Sequence, residues 1–275
     1  METVTSADGT TIAFDRVGDG TAGTVILIGG AFGYRAFPKM VQLSEALAAG
    51  YGLTVINYDR RGRGDSGDTP GVYDVSDEID DIAALVQAAG GSAALFGWSS
   101  GAVLALLAAG SGRVPGITKV VAFEPPFVTD RSGRVPPADL DVRLHQLIAA
   151  DERGKTVRFY MTKAMGIPWT MVTAMRVTPF WKNLKAVANS TAHDWAVMRP
   201  YMRGERLRAA DWSGVNVPTL VISGADSAAL LKNAAKAIAA ALPDAQHREL
   251  AKLSHDPKID ILAPAAGEFL TRVQR

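Results

Sequence analysis

Apolar residues along the chain follow two alternating rhythms. Short apolar runs at Thr11 to Val17, Thr24 to Ile28, Leu53 to Asn57, Ala93 to Phe96, Lys119 to Phe123, Val217 to Ile222 and Gln246 to Leu250 read as β-strands. Between them, Phe37 to Ala49, Val75 to Ala89, Ser100 to Ala109, Ala228 to Leu242 and Ile259 to Val273 repeat apolar positions at helical spacing. Strands that are apolar almost throughout are covered on both faces, so their alternation with helices predicts an α/β fold with a mostly parallel central sheet. Ligands of such sheets bind beyond the carboxyl ends of the strands.

The rhythm stops at Phe127 and resumes after about Asp211. This interval is rich in Met, Trp and Arg, shows only short helical patterns, and is too long for a plain loop. It reads as an inserted helical lid. The expected organisation is a core of residues 1–126 and 212–275 with a cap at 127–211, bounded by Glu124-Pro125-Pro126 and Val217-Pro218.

With 275 residues, 48% of them hydrophobic and 21% charged, the chain is long enough to bury a large core. A net charge of +1 with scattered arginines points to neither nucleic acid nor a membrane surface as partner. The absence of cysteine excludes disulfides, thiolate metal ligands and cysteine nucleophiles. Met1 to Gly9 lacks a basic segment followed by an apolar one, so no signal peptide is read there and a cytoplasmic location is expected.

The most informative stretch is Ala93 to Gly101, where an apolar run breaks into Gly97-Trp98-Ser99-Ser100-Gly101 before a helical segment. Strand, G-x-S-x-G and helix in that order describe a turn that lifts the serine hydroxyl clear of the sheet, with flanking glycines where side chains would collide. Ser99 is therefore the candidate nucleophile, as against a serine that merely caps the next helix.

Together with other stretches, this turn resembles the α/β-hydrolase family over nearly the whole chain outside the cap. Thr24 to Gly33 resembles the family's strand and oxyanion loop, with Gly29-Gly30 where His-Gly is commoner. Asn57 to Ser66 resembles the turn after the next strand, and Lys252-Leu-Ser-His255 the loop bearing the family's histidine. The resemblance implies His255 as the base that takes the serine proton, and the backbone N–H groups of Ala31 and Ser100 as the oxyanion hole. His145, His193 and His247 are read as histidines without a catalytic role. For the acid that orients His255, the resemblance leaves two candidates. The family's usual spacing after Gly224 falls on Ser227, with Asp226 one place early, whereas some relatives, haloalkane dehalogenases among them, place the acid after the earlier strand, which here is Glu124.

Other features change the picture less. Gly62 to Gly67 matches G-x-G-x-x-G, but Asp68-Thr-Pro-Gly71 follows where a dinucleotide site needs a helix to open, so no nucleotide is expected. The acidic run Asp77-Glu78 and Asp80-Asp81 reads as a helix N-terminus and not as a metal site. Phe32 and Trp98 beside the elbow, and Phe127 and Trp169 from the apolar supply of the cap, are candidate substrate contacts. Arg176, Arg199 and Arg203 are either contacts to an acidic group or solvated charge.

The expectation is a serine hydrolase without cofactor or metal, cleaving an ester, thioester or lactone of an apolar small molecule through an acyl-enzyme. A lyase or cyclase on the same fold, or a ligand-binding protein with vestigial catalysis, stands as the alternative. The sequence sets no oligomeric state.

Overall fold

The computed structural model describes residues 1–69, 71–131 and 133–272, and its strands form one eight-stranded sheet in the order β1-β2-β4-β3-β5-β6-β7-β8. In chain order they are β1 Glu2–Thr5, β2 Thr11–Val17, β3 Thr24–Ile28, β4 Thr54–Tyr58, β5 Ala93–Trp98, β6 Ile117–Phe123, β7 Thr219–Gly224 and β8 Ala245–Leu250. β2 runs antiparallel to β1 and β4, and every other pairing is parallel. The short and mostly exposed β1 has no counterpart in the sequence reading. The strand expected from Val217 begins at Thr219, because Pro218 has no N–H to give to the ladder and joins it only as an acceptor, from the Val120 N–H.

Successive side chains of a strand point to opposite faces, and the core divides accordingly. Ile26, Ile28, Leu95, Val120 and Ala122 belong to one apolar cluster, with α2 (Val75–Ala88), α3 (Ser100–Gly110), α9 (Ala229–Ala241) and most of the insertion. Val25, Leu27, Phe96, Val121 and Phe123 belong to the other, against α1 (Pro38–Tyr51) and α10 (Ile259–Thr271). Both faces of the sheet are thus covered. Val273, expected to end the last helix, lies outside the described residues.

Between β6 and β7 the described residues form no strand. The chain runs instead through α4 (Leu140–Ala149), α5 (Arg153–Phe159) with a π-type turn at Tyr160–Ala164, α6 (Trp169–Met175), α7 (Phe180–Ala186) and α8 (Thr191–Met198). The sheet register fixes what lies beneath this insertion. Ile28 pairs with Gly97, Trp98 with Phe123 and Phe123 with Ile222, so β3, β5, β6 and β7 end side by side. Gly29, Ser99, Glu124 and the turn after Gly224 are neighbours for that reason.

Candidate active site

At the elbow Ser99 has φ 57° and ψ −122°, a sparsely populated conformation for a residue with a side chain. The flanking glycines are sterically required. A Cβ on Gly97 would lie 2.3 Å from the Gly101 carbonyl oxygen, and one on Gly101 would lie 2.2 Å from that of Ile28. Ser100 opens α3, whose intrahelical ladder starts with the Ala102 N–H bonding to the Ser99 carbonyl. The Ser100 N–H therefore precedes the ladder, as the first amides of any helix do.

Gly30 brings the loop after β3 against this elbow, since a Cβ there would lie 2.9 Å from that of Ser99. The loop closes through a Gly33 N–H to Gly30 carbonyl bond of 2.9 Å. Phe32 sits within it at φ 63°, its ring edge-on to Tyr160 of the insertion at 5.7 Å. Glu124 also has a positive φ, 49°. Conformations of this kind cost roughly 1–3 kcal/mol each and persist only where the surroundings impose them. Three of the chain's non-glycine residues in that region, Phe32, Ser99 and Glu124, are gathered here.

Glu124 follows β6 and is fully buried. Its Oε1 accepts the Gly224 N–H at 2.7 Å, and its Oε2 lies 2.6 Å from Nδ1 of His255. A carboxylate only accepts, so Nδ1 carries the proton and Nε2 of the neutral ring is left as a base. His255 is also flanked by Phe123 and Trp98, with ring centroids 6.3 and 6.2 Å away. Asp226 stands elsewhere. It lies in an exposed turn, where its N–H bonds to the Leu253 carbonyl and its carboxylate has no hydrogen-bond partner among the described residues. Ser227, at the spacing usual for the acid, is buried with its hydroxyl unpaired.

Ser99 and His255 line one cavity of about 220 Å³. Its walls are the Gly30 to Gly33 loop, Phe37 and Met40 of the α1 entrance, Trp98, Asp256, and Met161, Met165, Phe180 and Leu184 of the insertion. Phe32 and Trp98, two of the candidate substrate contacts, are among the lining residues. Phe127 is not: it is 1% exposed and packs on Tyr201 and Trp212. Trp169 is not either, being 68% exposed on α6 and not among the cavity-lining residues. Both corrections have one cause, since a count of apolar residues in the insertion does not say which face each presents. Phe37 and Met40 went unremarked because they begin a core helix, although their position just after the glycine loop was a usable signal.

No Arg or Lys is among the cavity-lining residues. Arg199 pairs with Asp141 at 2.9 Å, and Arg176 borders a separate surface depression with Lys155 and Arg158. The other histidines are placed apart: His145 bonds to its own helix, His247 pairs with Ser223 at 2.9 Å, and His193 stacks on Tyr73. No cluster able to hold a metal occurs among the described residues. Nor is any described helix long and apolar enough to cross a membrane.

A second polar assembly lies under the site and went unread in the sequence. Arg60, Arg61 and Arg63, from the stretch with the G-x-G-x-x-G pattern, are almost completely buried, as are Glu78 and Asp81 of the acidic run and Asp194 of α8. The acidic run does lie at the start of α2, where Asp74 and Asp77 form a capping box, but Glu78 and Asp81 are also buried salt-bridge partners. Glu78 holds Arg60 through two contacts of 2.6 Å, and Asp81 holds Arg61 at 2.9 and 2.7 Å. Burial opposes ionisation of Glu78, yet Arg60 beside it brings its pKa down to about 2. Burial pushes Asp81 up to about 6 against the pull of Arg61.

Comparison with known proteins gives the family and the fold. Residues 25–266 match the model of the alpha/beta hydrolase family. A crystal structure of an alpha/beta hydrolase from Sphaerobacter thermophilus DSM 20745 is 42% identical, with a TM-score of 0.86 over 98% of this chain and 99% of that one. Fold likeness alone extends to the esterase RhEst1 from Rhodococcus sp. ECU1013, 19% identical with a TM-score of 0.65 over 99% of both chains. It extends also to the enol-lactonase from Burkholderia xenovorans LB400, 21% identical with a TM-score of 0.63 over 98% of this chain and all of that one. A search of curated protein sequences found no match. By the span of the family match and the near full-length likeness to the Sphaerobacter protein, the chain belongs to the alpha/beta hydrolase family and is a hydrolase.

Proposed function

We propose that the chain is a serine hydrolase that cleaves an ester, thioester or lactone bond of an uncharged apolar small molecule. Ser99 is the nucleophile and His255 the general base and acid. Glu124, rather than Asp226, is the acid that holds the imidazole. The observation that carries this reading is the 2.6 Å contact between Nδ1 of His255 and the buried Glu124, next to a strained Ser99 in the same apolar cavity.

In this mechanism Nε2 of His255 takes the Ser99 proton as Oγ bonds to the substrate carbonyl carbon, and the charge that moves onto the carbonyl oxygen meets the N–H groups of Ala31 and Ser100. Collapse breaks the bond to the leaving group, which receives the proton from His255. Water, deprotonated by the same nitrogen, then attacks the acyl carbonyl and frees Ser99. Glu124 keeps the proton on Nδ1 and stabilises the imidazolium. The 127–211 insertion acts as the cap that supplies the outer wall.

The substrate class follows from the lining. A carboxylate in this cavity would lie against Phe32, Phe37, Trp98, Met161 and Phe180 with no Arg or Lys among the lining residues to pair it. A fluorophosphonate probe tests the nucleophile: it is expected to label the protein at Ser99, while Ser99→Ala lowers p-nitrophenyl butyrate hydrolysis by about 10⁴-fold or more. No labelling of folded protein sinks the acyl-enzyme. For the class, the neutral butyrate ester should exceed the p-nitrophenyl hemisuccinate in kcat/KM by about tenfold or more, given the cost of burying an unpaired charge; parity of the two would reject it.

A further inference from the structure

We infer that Asp194, a residue of the insertion, is a positioning residue for the oxyanion hole, acting through Arg63, Arg60 and Ser100. The inference rests on the oxyanion assignment made above. Ala31 lies in the loop Gly29-Gly30-Ala31-Phe32-Gly33, whose glycines leave its backbone little intrinsic stiffness, so contacts from outside the loop have to hold its N–H in line with that of Ser100.

The loop is held through its carbonyl groups. Arg63 donates from Nη1 to the carbonyl oxygens of Gly30 and Gly33 at 2.7 and 3.0 Å, and Arg60 donates from Nη1 to that of Gly29 at 3.3 Å. Both guanidinium groups converge on one carboxylate. Arg60 reaches Oδ1 of Asp194 and Arg63 reaches Oδ2, each at 2.7 Å. The Ser100 hydroxyl donates to Oδ1 as well, also at 2.7 Å. Asp194 therefore ties the loop carrying Ala31 to the helix start carrying Ser100, from 94 residues further along the chain.

Charge accounting shows why this carboxylate is the joint. Glu78 already neutralises Arg60, so Asp194 is the ion-pair partner of Arg63, whose Nε is held by the Ser190 hydroxyl of the same segment at 3.0 Å. A buried ion pair is weak evidence for stability, because apolar side chains of similar volume do as well or better there. Here the atoms paired with the charges are the backbone carbonyls on either side of Ala31 and the side chain of Ser100. A donor displaced by even a fraction of an ångström loses transition-state stabilisation while leaving ground-state binding intact.

The test uses the full chain with p-nitrophenyl butyrate, rates being expressed per active site titrated with a fluorophosphonate. Asp194→Asn is expected to lower kcat by about 30-fold, between the effect of a weakened donor and that of a lost one, with KM within about threefold. The rate of Ser99 phosphonylation should fall in parallel. In a Ser99→Ala background the same change should leave butyrate-ester affinity unaltered. Normal kcat per titrated site overturns the inference, as does a change confined to KM. If Asp194→Asn does not fold, Ser100→Ala decides: it removes only the hydroxyl tie, and a kcat lowered about fivefold at unchanged melting temperature supports the inference, whereas an unchanged kcat rejects it. Failure of the unmodified protein to react at Ser99 overturns the reading beneath it, and is distinguished by appearing before any variant is made.

Discussion

The two walls of the cavity are built on different principles. The inner wall consists of the loop after β3, Trp98 and Ser99 at the end of β5 and His255 beyond β8, with Glu124 at the end of β6 behind the imidazole, and the sheet register sets the strand ends side by side. The outer wall consists of Met161, Met165, Phe180 and Leu184 on and beside short helices, with Met165 and Phe180 partly open to solvent. Chemistry requires atoms held to fractions of an ångström, which a sheet supplies. Recognition of an apolar group tolerates adjustable walls, and methionine and aromatic side chains supply those.

The comparison is broken most severely on the inner wall. Glu124→Gln keeps the shape but no longer fixes the Nδ1 proton, and is expected to lower kcat by about a thousandfold or more, whereas Asp226→Asn stays within about twofold. Steady-state kinetics on p-nitrophenyl butyrate decides; the reverse ranking would return the acid to Asp226. The joint between the walls is probed by pH. Because the folded-state pKa of Glu78 is depressed to about 2 from 4.5, its contribution is complete above pH 4.5 and is lost as pH falls toward 2, a loss of about 3 kcal/mol. Urea unfolding at stepped pH, compared with Glu78→Gln, should show a steeper acid limb in the unmodified protein, the limb left in the variant coming from groups such as Asp8, which is also held down at about 2. Equal pH slopes for both would mean that the Arg60 pair carries no such linkage. The outer wall should respond least: Phe180→Ala raises KM for the butyrate ester about fivefold through lost apolar contact, and Trp169→Ala leaves it unchanged. A larger effect at Trp169 would redraw the cavity.

The same contrast decides what could be read from the chain. The elbow was legible because its constraints are local: Gly97 and Gly101 are needed by atoms within a few residues or on the adjoining strand. The core strands were legible because burial on both faces writes itself as a continuous apolar run. The contact between Glu124 and His255 spans 131 residues, and only the resemblance to relatives with the acid after this strand offered it, beside Asp226 and without deciding between them. Arg60, Arg63, Glu78 and Asp194 were harder still, since each alone has the composition of a surface, and only their convergence makes them interior. In the insertion, helices such as α5, α6 and α7 are too short for periodicity to separate inward from outward faces, hence the misplacement of Phe127 and Trp169.

The backbone turn at Glu124 has a consequence for how such proteins diversify. The residue that grips His255 is also the last one before the chain leaves the sheet through Pro125 and Pro126. Residues added or removed at that exit would rotate the carboxylate away from the imidazole, so an exchanged insertion has to begin downstream of the prolines and still bring a carboxylate to Arg60 and Arg63 where Asp194 now stands. A graft that begins at Phe127 keeps the contact between Glu124 and His255, while one that begins two or three residues earlier has to rebuild it.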